Sequence, residues 1–272
     1  MLRKTVAAVF GLLVVVGNLS AQVPARLRWQ AGQVLLYKVE QVIAVTEIVG
    51  DNKVETSIKV NNTKRWQVLS VDADGVATVQ HSLVALRQES TASGKTLLFD
   101  SGDPDKSSPE LREALSKYVG APLAVLRVDG LGRVVEVKES KFGPAHRYEA
   151  ELPFVGVLPA DGLRAGQTWE RSYQLTLEKD KYAAAQHFVC KNASAGTATV
   201  VLSTEVKQQP EAVADRVTLL YMQPDGEIVY DLANSRLSAA TLKIDKELKG
   251  FQGEGSSIHV NGTYVERYAG DR

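Results

Sequence analysis

Apolar and polar residues alternate with a period of two over long runs of this chain. Val34–Ile48 and Glu55–Val71 both alternate in this way, and the turn between them contains Gly50, Asp51 and Asn52. These three residue types tolerate the backbone angles of tight turns. A period of two places successive side chains on opposite faces of a strand, so the pattern predicts an antiparallel hairpin of two long strands.

The same pattern continues to the end of the chain and predicts about eleven strands in all. The motif Asp72-Ala-Asp74-Gly75 is typical of a turn between two of them. The further strand candidates, each bounded by turn-forming residues, are Leu123–Val128, Arg133–Val137, Thr168–Glu178, Thr197–Lys207, Arg216–Gln223, Glu227–Asp231, Arg236–Leu248 and Ser256–Tyr268. The fold class predicted is mainly β.

One segment has the period of a helix instead. Leu111, Ala114, Leu115 and Tyr118 follow the spacing i, i+3, i+4, i+7, which forms one apolar face. Ser-Pro precedes the segment and Gly follows it, and these residues commonly begin and end helices. The sequence predicts one main helix near residues 109–119.

The two halves of the chain contain similar stretches, "WQAGQVLLYKVEQ" and "LRAGQTWERSYQL". A shift of 134 residues places Leu35 over Trp169. Because the shift is even, aligned apolar residues stay on the same face of a strand. Two further turn motifs recur in the same order. We expect a single β-rich domain over residues 22–272, built of two similar halves at about 27–158 and 159–270. The alternative is two similar meanders without duplication.

Two architectures accommodate such long strands. One is a single large antiparallel sheet curled into a half-barrel, and the other is a pair of sandwich domains divided near Pro159. The apolar segment Glu151–Leu163 contains two prolines and does not alternate. It is typical of a connector packed across an open sheet face, or of a flap over an apolar cavity. The chain lacks a Pro/Ser-rich linker, which favours the single sheet.

The N-terminus has the layout of a secretory signal peptide. Arg3 and Lys4 precede the apolar run Val6–Val16, and Leu19-Ser20-Ala21 forms a small-residue exit. The run is shorter than the roughly 20 residues that a membrane-spanning helix needs. We therefore expect residues 1–21 to be removed. The mature protein would then have no membrane-spanning segment and would be periplasmic or extracellular. An uncleaved anchor is the alternative, whereas the lack of a nearby cysteine excludes a lipoprotein anchor.

Charge and composition limit the classes of molecule that the protein is expected to bind. The chain carries 32 basic and 32 acidic residues, and removal of the signal peptide changes the formal net charge from 0 to 30 − 32 = −2. A nearly neutral protein has no electrostatic attraction to nucleic acid or to an anionic membrane surface. We expect no nucleic acid among its partners.

The residues that usually carry catalysis form no recognisable motif. The four histidines, His81, His146, His187 and His259, are too far apart in sequence for a zinc motif. The single cysteine, Cys190, allows no intramolecular disulfide, and its strand-like context predicts a small buried side chain. The chain has no nucleophile elbow or metalloprotease motif. We predict no cofactor and no metal, and no enzymatic activity is indicated.

A curled sheet of about eleven strands with a helical plug resembles the periplasmic lipoprotein carriers and lipoprotein receptors. The resemblance is one of layout, covers most of the mature chain and includes no diagnostic motif. The chain is also similar to uncharacterised exported β-rich proteins of bacteria. The resemblance implies a concave apolar surface for acyl chains or another hydrophobic ligand. The residues expected to contact that ligand are Leu111, Leu115, Tyr118, Phe154 and Val157.

Three functions remain open at this point. The first is an exported, non-enzymatic binding protein for a lipid, another apolar ligand or an envelope protein. The second is a structural or protein-interaction module of the cell envelope without a small-molecule ligand. The third is a hydrolase with a dispersed pair of carboxylates, which would lie roughly 5–10 Å apart in a cleft.

Overall fold

The structure is a computed structural model. The residues that it describes are 22–143, 145, 148, 156–177 and 180–271. The predicted signal peptide and Phe154 lie outside these residues. Within the described ranges, no helix combines the length and the hydrophobicity needed to cross a membrane.

Long antiparallel strands form most of the protein, as the alternating pattern predicts. The strands are β1 (Val34–Val49), β2 (Asn52–Val71), β3 (Ala77–Ala92), β4 (Lys95–Asp100), β5 (Pro122–Val128), β6 (Val134–Ser140), β7 (Thr168–Leu177), β8 (Asp180–Ala193), β9 (Thr197–Val206), β10 (Asp225–Asp231), β11 (Arg236–Lys249) and β12 (Ser257–Asp271). The helices are α1 (Pro109–Leu115) and α2 (Val213–Leu220). The mainly β fold class is confirmed.

All of these strands belong to one open sheet. Its order is β6-β5-β3-β2-β1-β12-β11-β10-β9-β8-β7, with β4 paired to β3 outside this path. The single sheet is therefore confirmed over the pair of sandwich domains. Strands β1 and β12 pair with each other and so join the two halves. In each half, strands that follow one another in the chain are added in the same direction across the sheet. Whether the halves arose by duplication stays a prediction.

The sheet curls so that its two halves face each other. Trp66 and Leu126 of one half and Phe188 and Tyr230 of the other belong to one continuous buried cluster. Strands β5 and β8 lie near opposite edges of the sheet. Their side chains can share a core only if the twist of the sheet brings the halves together. We call the side of the sheet that bears this cluster the inner face, and the region of the cluster the packed end.

The connection from β6 to β7 must pass from one edge of the sheet to the other. Three of its described side chains, Tyr148, Leu158 and Leu163, are buried in the cluster of the packed end. The hydroxyl of Tyr230 donates to the carbonyl of Gly156 at 2.6 Å. The described part of the connection therefore packs across the inner face, as a connector would.

The predicted helix is present but is shorter than expected. It occupies Pro109–Leu115 and continues as a 3-10 turn through Ser116–Tyr118. It lies against β4 and has no fully buried residue. It is therefore not the main helix of the inner face.

That position belongs to α2, where the sequence pattern predicted a strand over Arg216–Gln223, so this prediction is wrong. On one side of α2, Leu219 is buried with residues of β7, β8 and β9. On the other, Leu220 is buried with Ile258 and Val260 of β12. Because α2 has apolar residues on two sides, a one-sided helical period does not appear in the sequence.

Strand β4 was missing from the predicted strands, and β8 was indicated only by the strand-like context of Cys190. The run Ala183-Ala184-Ala185 interrupts the alternation in β8, and Ala184 and Ala185 are both buried. Alternation marks a strand only where one face meets solvent, so a strand buried on both faces lacks that signal.

Candidate functional site

A cavity of about 320 Å³ lies between the C-terminal end of α2 and the central strands of the inner face. Tyr221 and Pro224, which follow α2, form one wall. The opposite wall comes from β1, β2, β11 and β12, with Ile43, Leu242 and Ile244 as its apolar part. We call this region of the inner face the cavity end. It is formed by the parts of β1 and β12 that lie next to the packed end.

The register of the strands places a glycine, Gly262, in the wall of the cavity. Alternate residues of β12 point to the inner face, and Val260 and Tyr264 do so on either side of Gly262. Gly262 pairs with Ile43 of β1 and with Ile244 of β11. A Cβ at Gly262 would lie 3.2 Å from the carbonyl oxygen of Val42 and 3.5 Å from Cγ1 of Ile43, so the glycine allows a close approach of β1. The sequence "HVNGTYV" contains this signal, but the predicted binding residues did not include it.

The polar part of the cavity wall includes a buried charge pair. The ammonium of Lys64 donates to the Tyr264 hydroxyl at 2.8 Å and lies 3.3 Å from Oε2 of Glu266. The side chains of Lys64 and Glu266 are only 5% and 0% exposed. Tyr264 in turn donates to Oε2 of Glu266. The three side chains form a hydrogen-bonded network, which we call the Lys64 network.

The electrostatics of the Lys64 network follow from its burial. Burial, together with the charge of Glu266, raises the pKa of Tyr264 well above its usual value, although Lys64 acts in the opposite direction. The phenol therefore remains a hydrogen-bond donor. A buried carboxylate or ammonium is costly unless it is paired. Here Lys64 and Glu266 pair with each other.

Polar side chains other than this network also line the cavity. They are Gln41 of β1, Asn62 of β2 and Thr263 of β12. Among the described residues, Oδ1 of Asn62 is shielded from solvent and has no hydrogen-bond partner. A buried carbonyl without a partner costs about 1–3 kcal/mol.

Apolar side chains extend along the inner face beyond the cavity. Ile58 of β2 pairs with Ile43 of the cavity wall and is 41% exposed. Val54 lies four residues away on the same face and is 44% exposed. Val45 of β1 is half-buried nearby. The cavity therefore continues into an open apolar strip, which we define as Val45, Val54 and Ile58.

The residues predicted to bind a ligand lie elsewhere. Leu111, Leu115 and Tyr118 are half-buried in and beyond α1, and the Tyr118 ring packs edge-on against Phe142 at a centroid distance of 4.7 Å. Val157 is buried, and its carbonyl accepts a hydrogen bond from Nε1 of Trp169 at 2.8 Å.

None of these four side chains belongs to the described lining of the cavity. Phe154 lies outside the described residues. A role for these five residues in ligand binding stays a prediction.

Cys190 and His81, whose residue types often take part in catalysis, are buried in the core. Cys190 is fully buried in the cluster of the packed end, and burial raises the pKa of its thiol. His81 is 1% exposed and stacks on Trp66 at a centroid distance of 4.0 Å. In the part of the chain that the structure describes, no three His, Cys, Asp or Glu side chains are grouped to hold a metal ion.

The comparisons with known proteins concern the fold alone. No protein-family model matches the chain, and no curated protein matches it. The solved structure "Lipid-protein interactions in lipovitellin" aligns with 89% of this chain at 11% identity, with a TM-score of 0.50. This chain covers 26% of the lipovitellin chain, so it corresponds to about a quarter of that protein.

A second solved structure is the complex of Pseudomonas aeruginosa MucA and MucB. It aligns with 85% of this chain and 89% of the other at 12% identity, with a TM-score of 0.15. A superposition this poor supports no conclusion. The likeness to lipovitellin shows a similar sheet architecture, and the resemblance to lipoprotein carriers stays a prediction.

Proposed function

We propose that the protein is an exported binding protein that holds a lipid or another apolar ligand on the inner face of its sheet. The observation that supports this most directly is the cavity between α2 and the central strands. Its size, about 320 Å³, lies at the lower end of the range of small-molecule pockets. The ligand would therefore fill the cavity with one part and extend beyond it with the rest.

The apolar strip provides a surface for that extending part. Ile58 lies beside the cavity wall and is 41% exposed. Burial of apolar surface stabilises a complex by roughly 25 cal/mol per Å². An acyl chain that starts beside Ile43 and lies over Ile58 would cover this surface. Most pockets of this type combine an apolar lining with a few polar groups, as here.

Two further observations support the proposal. The N-terminal sequence is typical of a signal peptide, which supports export to the periplasm or the medium. The lipovitellin structure concerns lipid–protein interactions, and that protein has a similar fold at 11% identity. Fold similarity does not imply function by itself. The proposal therefore depends on the cavity.

The binding of a fluorescent apolar dye, N-phenyl-1-naphthylamine, tests the proposal, together with native mass spectrometry of the purified protein. We expect the dye to bind with increased fluorescence and bound lipid to copurify. Ile43→Trp would fill the cavity and abolish both signals. The matched control is Val42→Trp, because Val42 is the neighbouring residue of β1 and is 40% exposed on the other face. It should bind as the wild type does.

Two outcomes would contradict the proposal. One is a bare protein mass without dye binding, which would favour the envelope interaction module. The other is equal dye binding by both tryptophan variants, which would place the ligand elsewhere, for example near α1 as the sequence predicts.

A further inference from the structure

One charged side chain lies among the apolar residues that lead away from the cavity. Glu47 of β1 stands directly opposite Val54 of the apolar strip in the strand register, and it is two residues from Val45 on the same face. On its other side it pairs with Ile258 of β12, which is 3% exposed. Glu47 itself is half-buried, so part of its side chain remains open to solvent.

The charge of Glu47 is not balanced by another side chain that the structure describes. Among the described residues it forms no ion pair and no side-chain hydrogen bond. Lys246 also points to the inner face, but it lies on β11, two strands away, with its ammonium 3.4 Å from Asp225. Lys53 of the same hairpin lies on the other face and pairs with Glu55. Glu47 is therefore a carboxylate beside apolar surface without a cation.

Glu47 is linked to the cavity through the residues between them. Burial raises the pKa of Tyr221, a residue of the cavity wall, and the charge of Glu47 raises it further. Ile58 pairs with Ile43 of the cavity wall, and Val54 lies four residues further along β2, which is about 13 Å in a strand. A single alkyl chain can therefore fill the cavity at one end and reach Glu47 at the other.

A ligand that covers the apolar strip displaces water from Glu47. Loss of water around a carboxylate costs free energy unless a cation or a hydrogen-bond donor takes its place. An uncharged chain would leave Glu47 without such a partner, and an anionic ligand would add repulsion between like charges. A cationic group on the ligand offsets this cost and forms a charge-assisted hydrogen bond.

We propose that the site binds a cationic amphiphile, a molecule with one alkyl or acyl chain and a protonated amino group, whose chain enters the cavity while its ammonium pairs with Glu47 beside the apolar strip. This inference rests on the proposed function, because it specifies the ligand of the same site. The charged end stays on the strip, and the uncharged tail meets the wall that Lys64 lines.

Displacement of N-phenyl-1-naphthylamine from the full-length mature protein at neutral pH tests this proposal with three ligands of equal chain length. Dodecylamine is cationic, dodecanol is uncharged and dodecanoate is anionic. We expect dodecylamine to displace the dye at a concentration about fivefold lower than dodecanol, and dodecanoate to need more than dodecanol. Because Glu47 is partly exposed, the advantage of dodecylamine should be smaller in about 1 M salt than in about 0.01 M salt.

The Glu47→Gln variant tests the assigned carboxylate, because it removes the charge and keeps the shape. It should bind dodecylamine only as well as dodecanol, while its affinity for dodecanol should not fall. The matched control is Glu55→Gln, since Glu55 belongs to the same hairpin, is exposed and lies on the other face. Both variants lose one negative charge, so a difference between them reflects the position of the charge. The control should keep the wild-type order of the three ligands.

The outcomes separate this inference from the proposed function. Dodecanol or dodecanoate binding as tightly as dodecylamine would overturn the inference. Retention of the dodecylamine preference in Glu47→Gln would overturn it too, as would a bound dye that none of the three ligands displaces. In these cases the dye still binds and the proposed function stands. No dye binding at all would overturn both. The order of ligands and its salt dependence are measured on the wild type, so the test does not depend on the variant folding.

Discussion

The packed end and the cavity end lie on the same inner face, and partly on the same strands, yet they are filled differently. At the packed end, side chains of both halves of the sheet meet directly, as Trp66, Leu126 and Phe188 do in one cluster. At the cavity end, α2 lies between the halves instead. A close-packed interior leaves few voids, whereas the helix laid over the curved sheet leaves a cavity of about 320 Å³ beside its C-terminal end.

Under the proposed function, stability and binding are divided between the two ends. The packed end contributes most of the tightly buried apolar side chains, and the cavity end offers half-exposed apolar groups and the Lys64 network. Substitutions at the packed end should therefore affect unfolding and not binding. Those at the cavity end should affect binding, except where a buried charge loses its partner.

The largest effect is expected at the packed end. Phe188→Ala removes a ring that is 1% exposed and stacks on Trp169 at 5.2 Å. We expect a loss of about 3–5 kcal/mol in the free energy of unfolding in urea, from lost transfer energy and a residual cavity. The matched control, Val189→Ala, alters the next residue of β8, which is 41% exposed. It should cost about 0.5 kcal/mol or less. Equal losses would mean that the packed end is not tightly packed.

The second effect comes from the Lys64 network. Lys64→Met leaves the carboxylate of Glu266 buried without its ammonium, and we expect a loss of about 3 kcal/mol in urea unfolding. The double variant Lys64→Met/Glu266→Gln should recover most of it. Lys53→Met is the control, because its ion pair with Glu55 is exposed and contributes less than about 1 kcal/mol. A double variant as unstable as the single one would contradict the charge-pair explanation.

A smaller effect is expected where the connection between the halves is attached. Tyr230→Phe removes the buried hydrogen bond to the carbonyl of Gly156. We expect a loss of about 1–2 kcal/mol, since one buried acceptor stays unsatisfied while the ring remains. Urea unfolding measures the loss, and dye affinity should not change. A drop in dye affinity would show that the connector and the cavity are coupled.

The smallest effect should be found at the attachment of α2. The hydroxyl of Tyr182 in β8 donates to Asp215 Oδ2 at 2.6 Å, and this bond raises the pKa of Tyr182 to about 12. A pKa raised above the unfolded value of 10.0 contributes stability in full below pH 10 and loses it as the pH rises through about 12.

The stability difference between wild type and Tyr182→Phe should therefore be present at about pH 8 and absent above about pH 12. Urea unfolding at a series of pH values measures it. A difference that does not depend on pH would contradict the role of this hydrogen bond.

The strands were predictable where one face meets solvent. β1 and β2 alternate along most of their length, and their predicted bounds differ from the observed ones by at most three residues. The helix near 109–119 was also visible, because α1 has a single apolar face. The region of α2 was assigned wrongly, since its two apolar sides meet two different groups of strands.

The candidate site was not predictable as a site. Lys64 and Glu266 occupy inner-face positions where alternation predicts apolar residues, and their ion pair with each other offsets part of the cost of burying them. They are 202 residues apart in the chain. No local pattern links them, and only the pairing of β1 with both β2 and β12 brings them together.

The sequence by itself determined the strands, the side of each strand that is apolar, the position of α1 and the absence of a disulfide, because these depend on neighbouring residues or on composition. The tertiary structure alone decided that β1 meets β12, that α2 and not α1 covers the centre of the inner face, and that a cavity lies beside the Lys64 network. These features depend on contacts between residues far apart in the chain, whose energies appear only when the sheet has curled.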